Sequence, residues 1–180
     1  ARIGRIVIGF VAFGAEVELH EADGRLERIE VSPQAYRARE YAVEPDASSA
    51  SYFFALAAVT GGRVRVEGLG ARSLQGDLRF TEVLASMGAD VRIGADHTEV
   101  RGTGRLSGVD VDMVEISDTA PTLGAIAPLA DSPTTVGGIG FVRGKETDRI
   151  AAVVTELNRL GVTASETTDG FTVSPGRVTP

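Results

Sequence analysis

Two hydrophobic periods take turns along this chain. Residues 63–67, Arg-Val-Arg-Val-Glu, alternate polar and apolar side chains, the period of a half-buried strand. Residues 74–87 space their apolar side chains as one face of a helix, and Gly88 follows as a natural closing residue. Residues 90–93 and 98–101 then read as a hairpin across 94–97. Ahead of these, 41–44 reads as a strand, Asp46 opens a helix over 47–59, and Gly61-Gly62 ends it. That helix is apolar nearly all round, which predicts deep burial.

The same grammar is then written again. Residues 109–116 alternate as a strand, Asp118 opens a second largely apolar helix running to 130, and 134–137 is a short strand. A helix is predicted over 145–160, closed by Gly161, and 162–166 with 170–174 forms a hairpin turning at Asp169-Gly170. Asp46 and Asp118 stand 72 positions apart, and Gly88 and Gly161 stand 73 apart. So regular a spacing marks an internal repeat of the form β-α-β-α-β-β. Residues 1–40 read as the tail of an earlier copy. Phe13-Gly14-Ala15-Glu16-Val17 matches Met87-Gly88-Ala89-Asp90-Val91, and a hairpin over 16–20 and 25–31 turns at Asp23-Gly24. The expected fold is of the α/β (α+β) class, with the unit present about two and a half times.

Composition narrows the chemistry. The 180 residues carry a formal charge of −7, so a surface-wide polyanion-binding role is disfavoured, although a local anion site is compatible with that sum. Nucleic-acid partners are therefore not expected. Cysteine is absent, which excludes disulfides and thiolate metal sites. His20 and His97 lie far apart without ligand spacing, and no metal is expected. No apolar stretch reaches the ~18 residues of a membrane span, and no secretory leader is visible, so a cytoplasmic location is the expectation.

Candidate chemistry gathers at one place. The chain's single lysine lies in Arg143-Gly144-Lys145-Glu146-Thr147-Asp148-Arg149, in a sequence whose 18 basic residues are otherwise arginine. Lysine offers a compact charge with a movable pKa, whereas arginine offers a fixed bidentate fork. On the predicted helix Lys145 and Arg149 share a face and Glu146 adjoins it, at a terminus whose N–H groups attract anions. Asp148 reads as an acid in the first helical turn. Asp118 reads either as a helix cap or as a functional carboxylate. Gly137-Gly138-Ile139-Gly140 lacks a dinucleotide fingerprint and reads as turn geometry. Asp110, Asp112 and Glu115 read as the solvated face of a strand.

Taken together, these stretches resemble a known family. The run 143–149 followed by Gly161 is similar to the signature of 3-phosphoshikimate 1-carboxyvinyltransferases, the EPSP synthases. Glu44-Pro45-Asp46-Ala47-Ser48-Ser49-Ala50-Ser51-Tyr52-Phe53, Ser73-Leu74-Gln75-Gly76-Asp77, and Asp110-Val111-Asp112-Met113 with Asp118-Thr119-Ala120-Pro121-Thr122 resemble further family stretches, in family order.

The resemblance implies an inside-out barrel of enolpyruvyl transferase type, each domain holding three β-α-β-α-β-β units with helices inside. Residues 1–40 would end one domain, and 41–180 would supply two units of the next, about 41–107 and 108–176. It also implies transfer of the enolpyruvyl group of phosphoenolpyruvate to the 5-hydroxyl of shikimate 3-phosphate, in chorismate and aromatic amino acid biosynthesis, with release of phosphate and no cofactor.

By the same resemblance Asp118 would contact the shikimate hydroxyls and act as base, and Glu146 would move the proton at the methylene carbon. Lys145 would bind the phosphoshikimate side, and Arg149 would hold the phosphoenolpyruvate carboxylate. Phe141 stands where the family commonly has asparagine, Gly144 replaces a usual valine, and residues 1–12 depart from the family's pattern. The remaining phosphoenolpyruvate contacts are expected outside this chain, which would then carry part of an active site. Two other readings are a non-catalytic half that docks a complementary chain, and the sister transferase acting on UDP-N-acetylglucosamine.

Overall fold

The computed structural model describes residues 2–179. They divide into two compact units, one up to Val43 and one from Glu44 onward.

In the first unit, helix α1 (Arg2–Ala12) is followed by strands β1 (Val17–Ala22) and β2 (Arg25–Val31). The strands pair antiparallel about the expected turn, with a register shift between His20 and Glu21 that sets Val17 opposite Val31. Asp23 and Gly24 both have positive φ, 51° and 71°, as the tightest hairpin turn requires.

The second unit holds two copies of the repeat. Helix α2 (Ala47–Thr60), strand β3 (Arg63–Glu67), helix α3 (Phe80–Ser86) and strands β4 (Asp90–Ile93) and β5 (His97–Arg101) form the first. Strand β6 (Asp110–Asp112), helix α4 (Ala120–Ile126), strand β7 (Thr134–Gly137), helix α5 (Arg149–Arg159) and strands β8 (Ala164–Glu166) and β9 (Phe171–Val173) form the second. The sheets run β3-β5-β4 and β6-β7-β9-β8, so three strands of each copy are ordered alike. All pairs are antiparallel except β6 with β7, which is parallel. Helix α4 packs between α2 and α5, while α2 also rests on β3 and β5, and α5 on β8. Their shared core includes Phe54, Leu84, Met87, Leu123, Ile150 and Phe171.

Three helices end in one way. Gly14, Gly88 and Gly161 each donate to the carbonyl three residues back, and the next residue, Ala15, Ala89 or Val162, donates to the carbonyl five residues back. This is the Schellman ending, and it needs the positive φ that these glycines adopt. The match between residues 13–17 and 87–91 is thus one of backbone hydrogen bonding as well as residue type.

Four expectations are corrected, besides the strand expected over 109–116, which stops at Asp112 and gives way to a 3-10 turn from Val114. Residues 41–44 form no strand. The Glu44 carboxylate instead accepts from the Leu74 amide, the Ser73 hydroxyl and the Gln75 side-chain amide, and Pro45 has no N–H to offer a ladder. Second, the helix over 74–87 begins as a 3-10 turn, Gly76–Arg79, before α3. Third, α5 starts at Arg149 rather than at 145, because Asp148 has extended backbone and caps it. Fourth, α2 is not buried all round. Ala47, Ala50, Phe54 and Ala58 face the core, but Tyr52, Phe53 and Leu56 are exposed. No helix among the described residues is long and apolar enough to cross a membrane.

Candidate functional site

Asp118 lies in a 3-10 turn, Val114–Thr119, just ahead of α4. It does not cap that helix. The residue at the cap position is Thr119, which makes no side-chain cap bond. The Asp118 carboxylate turns instead toward the loop before α5. Its Oδ1 accepts from Lys145 Nζ at 2.7 Å and from Arg149 Nη1 at 2.9 Å. Arg149 Nε also donates to Glu146 Oε1 at 2.7 Å. The four residues singled out in the sequence therefore meet as an acid–base–acid–base cluster. Lys145, Asp118 and Arg149 expose only 19%, 25% and 26% of their side chains, whereas Glu146 exposes 64% and can reach outward.

The meeting does not follow from helical spacing. Lys145 lies outside α5 in an extended conformation, φ −79° and ψ −156°. Nor are the first N–H groups of α5 open to a ligand. Those of Ile150 and Ala151 donate to Asp148 Oδ1 at 3.1 and 3.0 Å. The expected oxyanion use of those amides is withdrawn, because an N-cap carboxylate already takes them. The positive charge here comes from side chains. Lys145 Nζ also lies 5.8 Å from the centre of the Phe141 ring, within cation–π range.

Charge sets the protonation of the acids. The hydrogen bond from Arg149 holds the Glu146 carboxyl below its ordinary value. Asp148 is lowered chiefly by the Ala151 amide, with Arg143 assisting. Both are carboxylates at neutral pH.

The first repeat has its own polar junction at the start of α2. Asp46 caps the helix, accepting from the Ser48 amide at 3.0 Å and the Ser49 hydroxyl at 2.7 Å. Gln75 accepts from the Ala47 amide and donates to Glu44 and Pro45 O, while Ser48 donates to Asp77 at 2.5 Å. The stretches 44–51 and 73–77, separate in sequence, interlock here as structure.

The sequence reading assigned no role to two further residues that shape the charged loop, Arg143 and Asp169. Arg143 pairs with Asp148 and Glu166, and Asp169 holds the amides of Gly138 and Gly140. The Asp169-Gly170 turn signal was the only trace of the second. Gly138 has φ +75° and sits so close to the Asp112 carboxylate that a Cβ would collide with it, so the glycine run is turn geometry as expected. Asp112 itself accepts from the Val114 amide at 2.8 Å.

Each histidine does lie beside two carboxylates in space, His20 with Glu18 and Glu30, and His97 with Glu67 and Asp96. Sequence spacing gave no sign of this. His20 lies across the strand pair and His97 at a strand end. A hollow of about 490 Å³ between α3 and β6 is lined by Arg79, Glu82, Asp110, Asp112 and Glu115, and includes none of the four clustered residues.

Comparison with known proteins points one way. The family model described as EPSP synthase (3-phosphoshikimate 1-carboxyvinyltransferase) matches residues 8–179. A 3-phosphoshikimate 1-carboxyvinyltransferase from Nostoc sp. is 56% identical over 147 residues, covering 82% of this chain and 35% of the relative. One from Methanoculleus marisnigri is 46% identical over 163 residues, covering 91% of this chain and 38% of the relative. The chain thus spans little more than a third of the length of these relatives. Among solved structures, EPSP synthase from Acinetobacter baumannii aligns with a TM-score of 0.71 at 26% identity, over 92% of this chain and 39% of the other. The enolpyruvyl transferase NikO from Streptomyces tendae shares the fold, with a TM-score of 0.71 at 19% identity over 96% of this chain and 40% of the other.

Proposed function

Because this chain belongs to the EPSP synthase family, we propose that it carries the acid–base part of a site that transfers enolpyruvate from phosphoenolpyruvate to shikimate 3-phosphate. The observation that carries the reading is the convergence of Lys145 and Arg149 on one oxygen of Asp118, with Glu146 on the other side of Arg149.

The chemistry divides among these residues. Asp118 takes the proton of the 5-hydroxyl as its oxygen bonds to C2 of phosphoenolpyruvate. Glu146 delivers a proton to the methylene carbon, then takes one back as the C2–O bond to phosphate breaks, and the departing phosphate carries away the proton that Asp118 took. Two carboxylates in unlike surroundings suit such divided roles. Lys145 and Arg149 supply the fixed positive charge that two anionic substrates require. Glu146 must gain a proton to act as an acid, yet its bond to Arg149 disfavours that form. A substrate carboxylate that takes the Arg149 fork would remove this bond and raise the Glu146 pKa. Substrate arrival would thus arm the acid.

In the domain assignment proposed with this function, residues 1–40 end one domain and 41–180 supply two units of the other, about 41–107 and 108–176, with the remaining contacts supplied from outside the chain. A cytoplasmic location goes with such an activity.

The test is an NMR titration of the isotopically labelled chain with shikimate 3-phosphate and then phosphoenolpyruvate. Shifts are expected at Asp118, Lys145, Glu146 and Arg149, and their loss in Lys145→Ala. A dispersed spectrum indifferent to both ligands would count against substrate binding by this chain. It would favour the second reading, a non-catalytic half that docks a complementary chain. The exposed apolar side chains of Tyr52, Phe53, Leu56 and Leu129 support that reading.

A further inference from the structure

Lys145 and Glu146 sit on a loop that has no ladder or helix of its own between the 3-10 turn Gly140–Gly144 and the cap Asp148. Backbone groups in such a loop must find partners elsewhere, and where they find them decides where its side chains point. The Lys145 amide turns back to Val142 O at 3.3 Å, and the connection from β7 that leads into the loop is fastened to the turn of the β8–β9 hairpin. Three successive amides at the start of that connection end on one residue of the turn. Gly138 and Gly140 donate to the Asp169 carboxylate at 2.8 and 3.0 Å, and Ile139 donates to the Asp169 carbonyl at 3.0 Å.

Further along, Arg143 spans the gap between hairpin and helix. Its Nη1 donates to Glu166 at 2.7 Å and to Asp148 at 2.8 Å, and its Nη2 donates to the Thr167 carbonyl at 2.7 Å. The hairpin turn is closed in its own right by the Thr167 amide on Gly170 O. Asp148 in turn caps α5 at Ile150 and Ala151. Lys145 and Glu146 are therefore held between two fixed points, Arg143 on one side and Asp148 on the other, and the two points are bonded to each other. Both Asp169 and Asp148 are kept ionised by the amides they accept, so these ties hold at neutral pH.

We propose that Arg143 and Asp169 are positioning residues that set Lys145 and Glu146 against Asp118 and Arg149. Their own hydrogen bonds go to the loop, the hairpin turn and the helix cap, so they act through the fold rather than on substrate. The inference rests on the functional reading above for its consequence in binding, but not for its geometry. A planar guanidinium can serve three acceptors in fixed directions, which a lysine cannot. Sites of this kind tolerate little slack, since a displacement near 1 Å at the reacting groups costs about a hundredfold.

The test uses the labelled chain with Arg143→Ala, Arg143→Lys and Asp169→Asn. Two quantities are read, the side-chain carboxyl signals of Asp118 and Glu146 without ligand, and the affinity for shikimate 3-phosphate. Arg143→Ala and Asp169→Asn are expected to keep a dispersed spectrum, to move both carboxyl signals, and to weaken shikimate 3-phosphate by about tenfold. Arg143→Lys should recover only part of the loss. Dispersed spectra with both carboxyl signals unmoved would overturn the proposal and reduce the ties to a hairpin staple. If Arg143→Ala fails to fold, Asp169→Asn decides by the same criterion. If the unaltered chain ignores shikimate 3-phosphate while the carboxyl signals move in the variants, the positioning role stands and the substrate assignment falls.

Discussion

Asp118 and Thr134 show two fates of a polar side chain in this chain. Asp118 was readable as a cap or as a site residue, and only its partners decide the matter. Lys145 and Arg149 lie 27 and 31 positions away, and both bond to it. Thr134 is fully buried on β7, and its hydroxyl has no hydrogen-bond partner among the described residues. A buried hydroxyl left unpaired costs its desolvation. Thr134→Val keeps the shape and removes the polar atom. It is expected to stabilise the chain by about 1 kcal/mol, or roughly 3 °C in thermal midpoint. A lower midpoint would mean that the hydroxyl has found a partner, water included.

Elements were legible where their ends carry chemistry. Asp46 and Asp148 both cap helices through side-chain oxygens, and the closing glycines were found at every expected place. Gly88 has φ +108°, a conformation costly to any residue with a Cβ. Gly88→Ala is expected to cost about 1–2 kcal/mol, read as a lower urea midpoint at unchanged slope. An unchanged midpoint would mean that the ending of α3 relaxes without cost. Less legible were the helix starts. The apolar spacing of Leu74 and Leu78 extends the period of α3 back across a 3-10 turn, Gly76–Arg79, and the charged residues 145–148 read as a first helical turn although Asp148 caps the helix after them. Periodicity reports which side faces the core, and a turn or extended segment can satisfy it as well as a helix. The strand expected at 41–44 failed for a related reason. Strand propensity cannot supply a neighbour to pair with.

At the scale of the molecule, several acids have depressed pKa values. Asp46 is lowered by the Ser49 hydroxyl, Glu99 by Arg63, Glu146 by Arg149, Asp148 by the Ala151 amide and Asp169 by that of Gly138. A folded value below the unfolded one means that the unfolded chain binds protons first as pH falls. The stabilisation is therefore present above the ordinary values of 3.8 for aspartate and 4.5 for glutamate, starts to fall as pH reaches them, and is lost as pH drops through the lower folded values. Urea midpoints should be flat from neutral pH to about 5 and fall below about 4, and Asp148→Asn should make that fall shallower. An equal slope in the variant would show that Asp148 is no more acidic folded than unfolded.

The sequence alone determined the repeat, the glycines that close helices, the fold class and the four residues of the cluster. These depend on local chemistry: a glycine that must adopt positive φ, an aspartate that accepts amide bonds, an alternation that faces one side inward. Tertiary structure alone decided that Asp118 pairs rather than caps, that Lys145 lies off the helix, and that Arg143 and Asp169 hold its loop. Those facts rest on contacts between segments such as 138–148 and 166–170, joined only when the sheet β6-β7-β9-β8 forms. A hydrogen bond across such a separation leaves no period in the sequence, because nothing local requires its partner.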